Sequence, residues 1–236
     1  MNLDRLFGFT TAIPAPARRS QSIRTRTLYA VLLALLIPLR VFSQDPSVEL
    51  LEAAKKGDLD AVKSILGKGG NVNAKSTNGR TGLMEAAYWG RVDAAKLFLE
   101  KGADLNAKDQ DDHTALIDAA GNGHIQVVQA LLEKGADPNV KSKDGTTALI
   151  EAASNNRAEV VSELISKKAN VDEKDKEGRT ALILASNWGH DEVVKALIDK
   201  GANINVKDKY GYSALMYAKR ENHPKVIDVL SKAGAK

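Results

Sequence analysis

Three carboxylates recur at a fixed step: Glu85, Asp118 and Glu151 stand 33 residues apart, each just before an Ala-Ala pair. A row of acids is raw material for general acid–base work or for holding a metal. The spacing argues against both. If each step marks one more copy of a stacked helix, neighbours in the row lie about 8–10 Å apart. Oxygen ligands of a single ion sit at roughly 2.0–2.6 Å from it, so these acids cannot share one. An acid in the first turn of a helix gains about 0.3–1 kcal/mol from the macrodipole, which accounts for the row without any site. A stripe facing a partner is the functional alternative, and a hydrolase built on the row is the third reading.

Other candidates for chemistry fail on their own spacing. Asp109-Gln110-Asp111-Asp112 has the look of a calcium loop, but the positions that need Gly and a bidentate Glu hold Thr114 and Ala120. His124 and His190 fall at matching helix starts, where Arg91 and Arg157 stand in alternate repeats, so they read as structural residues of a turn. His113 and His223 read as isolated. There is no cysteine, hence no thiolate site and no disulfide framework. No phosphate-binding glycine loop and no nucleophile elbow occurs. The expectation is a protein that is not an enzyme and carries no metal or cofactor.

Residues suited to recognition are better placed. Tyr88, Trp89, Trp188, Tyr210, Tyr212 and Tyr217 all fall in expected turns or in the first helix of a repeat, and none in the second. Trp89 and Trp188 hold one equivalent position three repeats apart. Trp and Tyr are the commonest binding hot spots, because they bury large area at small entropic cost. For each Trp, simple covering of the inter-helix turn is the competing structural reading. A second row, Lys75, Lys108, Lys141, Lys174 and Lys207, supplies one cation per repeat. It reads either as a basic rim for an acidic partner or as edge protection against self-pairing. Asp109, Asp175 and Asp208 follow directly in three of these five cases and cancel much of the field.

These residues must be positioned by the repeat itself. Thr81-Gly82-Leu83, Thr114-Ala115-Leu116, Thr147-Ala148-Leu149, Thr180-Ala181-Leu182 and Ser213-Ala214-Leu215 recur every 33 residues without an insertion. Gly102-Ala103, Gly135-Ala136, Lys168-Ala169, Gly201-Ala202 and Gly234-Ala235 keep the same period. Two markers in one register define a unit that buries its apolar face only against copies of itself. Each unit reads as a Gly-containing turn, a Thr-capped short helix and a tight turn. A second helix follows with apolar residues at helical spacing, such as Val127, Val128, Leu131 and Leu132, and then an Asn-x-Lys stretch.

This pattern resembles the ankyrin repeat over about residues 46–236. The resemblance implies an all-α solenoid of about six helix-turn-helix units joined by β-turn or hairpin connections, near 46–77, 78–110, 111–143, 144–176, 177–209 and 210–236. It also implies a concave protein-binding face made of turn tips and inner helices. The family's Thr-Pro-Leu-His is altered here, with Met84, Ile117, Ile150, Ile183 and Met216 in the histidine position. Apolar packing is therefore expected where a polar network would link repeats. Asn156 and Lys168 replace glycines of the neighbouring units, so the array is expected to open first around 156–170.

The first 43 residues differ in kind. Six arginines and one aspartate precede or flank an apolar run from Leu28 to Leu39, too short for a bilayer, which takes about 20 residues. A signal peptide cleaved after Ser43 is expected, leaving an ankyrin domain at 44–236 in the periplasm or outside the cell. An organelle transit peptide and an uncleaved anchor are the alternatives. Removing that segment's +5 (six Arg minus one Asp) from the net +4 of the whole chain leaves −1. Such a balance gives no support for a nucleic-acid partner. The expected function is a monomeric scaffold that binds another protein without stable membrane insertion. An inhibitor, immunity-type or shielding partner of an envelope enzyme or toxin is the alternative.

Overall fold

The computed structural model describes residues 45–236, so the expected signal peptide lies outside the described residues. Six helix pairs follow one another. The inner helices are α1 (Pro46–Lys56), α3 (Gly82–Tyr88), α5 (Ala115–Asn122), α7 (Ala148–Ser154), α9 (Ala181–Asn187) and α11 (Ala214–Arg220). The outer helices are α2 (Leu59–Gly67), α4 (Val92–Glu100), α6 (Ile125–Glu133), α8 (Ala158–Ser166), α10 (Asp191–Asp199) and α12 (Pro224–Lys232). Each inner helix packs on its own outer helix and on the inner helices of adjacent repeats. Inner helices contact one another more extensively than outer ones do.

Local chemistry explains each boundary. The hydroxyls of Thr81, Thr114, Thr147, Thr180 and Ser213 accept from the backbone N–H three residues on, at 3.3–3.4 Å. These caps are buried, so the N–H they satisfy has no water to turn to. Asp45 caps α1 ahead of Pro46, and Pro224 opens α12. The Ala pairs (Ala86-Ala87, Ala119-Ala120, Ala152-Ala153) are fully buried, small enough for the next inner helix to approach closely. In the altered histidine position Met84, Ile117, Ile150 and Ile183 are buried too, whereas Met216 in the last repeat is exposed.

One departure from the repeat is compensated in the core. Gly82 stands where other units have Ala, and a Cβ there would lie 2.4 Å from the Phe98 ring. Phe98 occupies the place of Leu131, Leu164, Leu197 and Leu230 in the other repeats. The larger outer-helix residue therefore fills the volume that the smaller inner-helix residue vacates.

Polar links between repeats are not lost with the histidine motif; other residues carry them. Asn73, Asn106, Asn139, Asp172 and Asn205 each accept, through the side-chain oxygen, a backbone N–H from the next repeat at 2.8–3.3 Å. At the start of the outer helices a second set reaches back one repeat. Arg91 donates from Nε to the Lys55 carbonyl, Arg157 to Gly121, and His124, His190 and His223 from Nε2 to Tyr88, Ser154 and Asn187, at 2.9–3.3 Å. His223 is thus a member of this row and not isolated. Its ring lies against Gly189 as that of His124 lies against Gly90, where an added Cβ would meet the imidazole at 2.6 and 2.5 Å.

The repeat connections are turns; the described residues contain no strand, only isolated bridges between Lys75 and Thr81 and between Lys207 and Ser213. Asn156 and Lys168 adopt the left-handed conformation at φ 59° and 70°, as their replacement of glycine requires.

Candidate partner-binding face

The site begins with the turn that enters each inner helix. Asp109, Asp175 and Asp208 do not stand in solvent beside the lysines. Asp175 and Asp208 are buried, and one carboxylate oxygen of each of the three accepts the N–H groups two and four residues ahead at 2.8–2.9 Å. Ser76 and Ser142 accept the N–H four residues ahead in the same way. These side chains shape the tips. Asp109-Gln110-Asp111-Asp112 is one such turn, and the acid that opens it is occupied by backbone donors. Neighbouring tips then join: the N–H groups of Gln110, Lys143, Lys176 and Lys209 donate to the carbonyls of Asn78, Asp111, Asp144 and Glu177 at 2.8–3.0 Å.

The lysine row runs beside this ladder and is largely committed to it. Lys75, Lys108 and Lys141 each donate from Nζ to the backbone carbonyl of the lysine one repeat further on, at 2.9–3.2 Å. Lys108 also approaches Asp112, and Lys141 pairs with Glu173 at 2.5 Å. A flexible ammonium that satisfies otherwise open carbonyls explains the period of the row without a partner. Lys174 and Lys207 are exposed.

The acid row divides. Arg80, which sequence reasoning passed over, bridges two of its members: Nε meets Glu85 at 2.6 Å and Nη2 meets Asp118 of the next repeat at 2.9 Å. Asp109 lies 3.4 Å from Nη1. Burial pulls the Arg80 pKa down, but Asp118 and Glu85 more than offset it, so the guanidinium is raised above its ordinary value. His113 is not isolated either. Its Nδ1 lies 3.8 Å from Asp118 Oδ1, an ion-pair distance, and Asp118 is the chief reason its pKa is raised. Glu151 has no basic partner among the described residues; its Oε2 accepts only from Asn155 Nδ2 at 3.2 Å. Arg80 thus occupies one oxygen of Glu85 and one of Asp118. Among the described residues no group of three or more His, Asp or Glu is placed to hold a metal.

The aromatics fall into two patches. Tyr88 and Trp89 meet edge to face at 5.3 Å between centroids, with Arg80 over Tyr88 and Lys55 over Trp89. Trp188, at the C-cap of the fifth inner helix, is 59% exposed; Tyr210 and Tyr212, in the turn that opens the sixth repeat, are 62% and 39% exposed, with Lys209 over Tyr210 and Arg220 over Tyr212. Tyr217 corrects the expectation that all six rings face outward. It is buried at 9% exposure and donates to Asp208 Oδ2 at 2.6 Å. It stands at the register of the acid row, but the phenol turns inward to a carboxylate that the backbone of its own turn already orients. Burial, then that bond, pushes the Tyr217 pKa up to about 12. For Asp208 burial opposes ionisation, and the donors from Tyr217, Tyr212 and Tyr210 outweigh it, leaving its pKa below the ordinary carboxylate value.

With this geometry in hand, the comparisons with known proteins agree. A family model described as ankyrin repeats, three copies, matches residues 50–142 and 149–236. The chain belongs to the ankyrin-repeat family. A crystal structure of an ankyrin repeat domain from Acinetobacter baumannii AYE is similar at 33% identity, covering 79% of this chain and 98% of that one, with a TM-score of 0.73. No curated protein matches. Ankyrin repeats are in general protein-interaction modules, and the two aromatic patches of this ankyrin chain lie on the inner-helix and turn side of its stack.

Proposed function

We propose that this ankyrin-repeat chain is an exported bacterial scaffold that holds another protein against its inner-helix and turn face. One observation carries the reading. Every large hydrophobic residue exposed among the described residues lies on an inner helix, at its C-cap or in a turn: Val48, Tyr88, Trp89, Trp188, Tyr210, Tyr212 and Met216. The outer helices expose none. Scattered apolar residues need no explanation, but a one-sided set rich in Trp and Tyr is what an interface core supplies. Export rests on the arginines and the apolar run within residues 1–43. No described helix is long and apolar enough to cross a membrane.

The test is a cross-linked pull-down with the C-terminally tagged chain from an envelope fraction. It runs beside Trp89→Ala with Trp188→Ala, checked for folding by circular dichroism. Capture of one protein by the parent and its loss from the folded double variant is the expected result. Equal capture by both, or none by either, overturns the reading.

A further inference from the structure

The pairing along the acid row is incomplete at one repeat, and that gap says what kind of partner the face fits. In the second repeat Glu85 is met by Arg80, and in the third Asp118 is met by both Arg80 and His113. The corresponding place in the fourth repeat is Thr146, a short neutral residue, so Glu151 has no ion-pair partner among the described residues, although its charge acts on His113 one repeat back. In the fifth, Arg179 turns to its own Asp175 at 2.7 Å and the acid itself is replaced by Leu184. Gly121, one repeat before Ser154, lies beside Glu151 and adds no side chain there; a Cβ on it would come into van der Waals contact with Oε2 at 3.6 Å. The tips above carry exposed Asp111 and Asp144.

This gap lies between the two exposed aromatic patches. Trp89 closes the inner helix of the second repeat and Trp188 that of the fifth. At about 8–10 Å per stacked helix, the patches stand roughly 24–30 Å apart. About eight residues of extended chain span that length at ~3.3 Å each.

We infer that the face takes a segment of a partner protein that sets a lysine or arginine on Glu151 between two apolar anchors, one on Tyr88/Trp89 and one on Trp188. This rests on the proposed function and adds the chemistry of the partner. Charge complementarity selects the occupant. The aromatic patches are already capped by Lys55, Arg80, Lys209 and Arg220, which oppose further cations there and favour one at the centre. A basic head on Glu151 completes the alternation of acid and base that Arg80 and His113 begin.

The test is selection from a displayed library of random dodecapeptides against three proteins: the full chain, Glu151→Gln, and Trp89→Ala with Trp188→Ala. Glutamine at 151 keeps an oxygen for Asn155, so folding is preserved. The expected result is a wild-type pool with one Lys or Arg flanked on both sides by apolar residues. Glu151→Gln should lose that basic preference, and a synthetic peptide from the wild-type pool should bind it about tenfold more weakly. A wild-type pool without basic preference, or equal affinity for Glu151→Gln, overturns the inference. If such peptides still depend on the two tryptophans, the recognition face stands and only its basic partner falls. No peptide recovered by the wild-type chain overturns both.

Discussion

Two glycines with the same backbone and different surroundings separate strain from packing. Gly90 and Gly102 both adopt the left-handed conformation, at φ 65° and 80°. A Cβ on Gly102 would meet nothing within 4 Å, so Gly102→Ala costs only the left-handed strain, about 1 kcal/mol. A Cβ on Gly90 would lie 2.5 Å from His124 Nδ1. The imidazole must then move off and give up its Nε2–H bond to the Tyr88 carbonyl at 3.0 Å. That bond is worth about 0.5–1.5 kcal/mol. Gly90→Ala should therefore cost about 1.5–2.5 kcal/mol in all. Urea unfolding followed by circular dichroism reads the difference, with His124→Ala as the second arm of a double-mutant cycle. In the His124→Ala background, Gly90→Ala should fall to the cost of Gly102→Ala. Equal costs in the parent, or an undiminished cost without the ring, would refute a bracket made by His124.

Three further outcomes follow from the same geometry. Lys168→Gly should stabilise the fold by about 1 kcal/mol, and in the parent the amides around residues 156–170 should exchange first; uniform protection across the repeats would contradict this. Tyr217→Phe should remove the phenolate step near pH 12 seen in ultraviolet titration. Because the folded pKa is raised, the stabilisation from this phenol is whole below about pH 10 and is lost as pH climbs towards 12; persistence of the step in the variant would disprove the assignment. His113→Gln should lower the urea midpoint below about pH 6.5 and do so less as pH rises. Asp118, with Asp109 and Glu151, raises the folded pKa, so the stabilisation fades through that higher value. The ring is 35% exposed, so the effect is well under ~1 kcal/mol, and a deficit unchanged up to pH 9 would exclude the ion pair.

Periodicity made the fold legible. Thr81 and its equivalents, the Ala pairs and the glycine positions repeat in one register, and the caps and glycine turns have local jobs within one repeat. What escaped was whatever reaches across the stack. Asn73 and Lys75 look like loop residues until the next repeat supplies the N–H and carbonyl that they bind. Arg80 was passed over because its two acids lie five and 38 residues away. His223 did carry a signal, one period after His190, hidden by the proline beside it. Asp175 and Asp208 read as charge balance for lysines, whereas their places before a glycine turn mark them as acceptors for backbone donors. Of the six Trp and Tyr residues proposed for the face, only Tyr217 turned inward, because Asp208 gave its hydroxyl a buried partner.

A photo-crosslinking side chain placed singly at four positions of the chain in its native cell tests the recognition face most directly. Trp89 and Trp188 are the inner positions; Lys96 on α4 and Lys195 on α10 are exposed controls on the outer side. The account predicts one common adduct from positions 89 and 188 and none from 96 and 195. Adducts from the outer positions alone, or from all four alike, would contradict it.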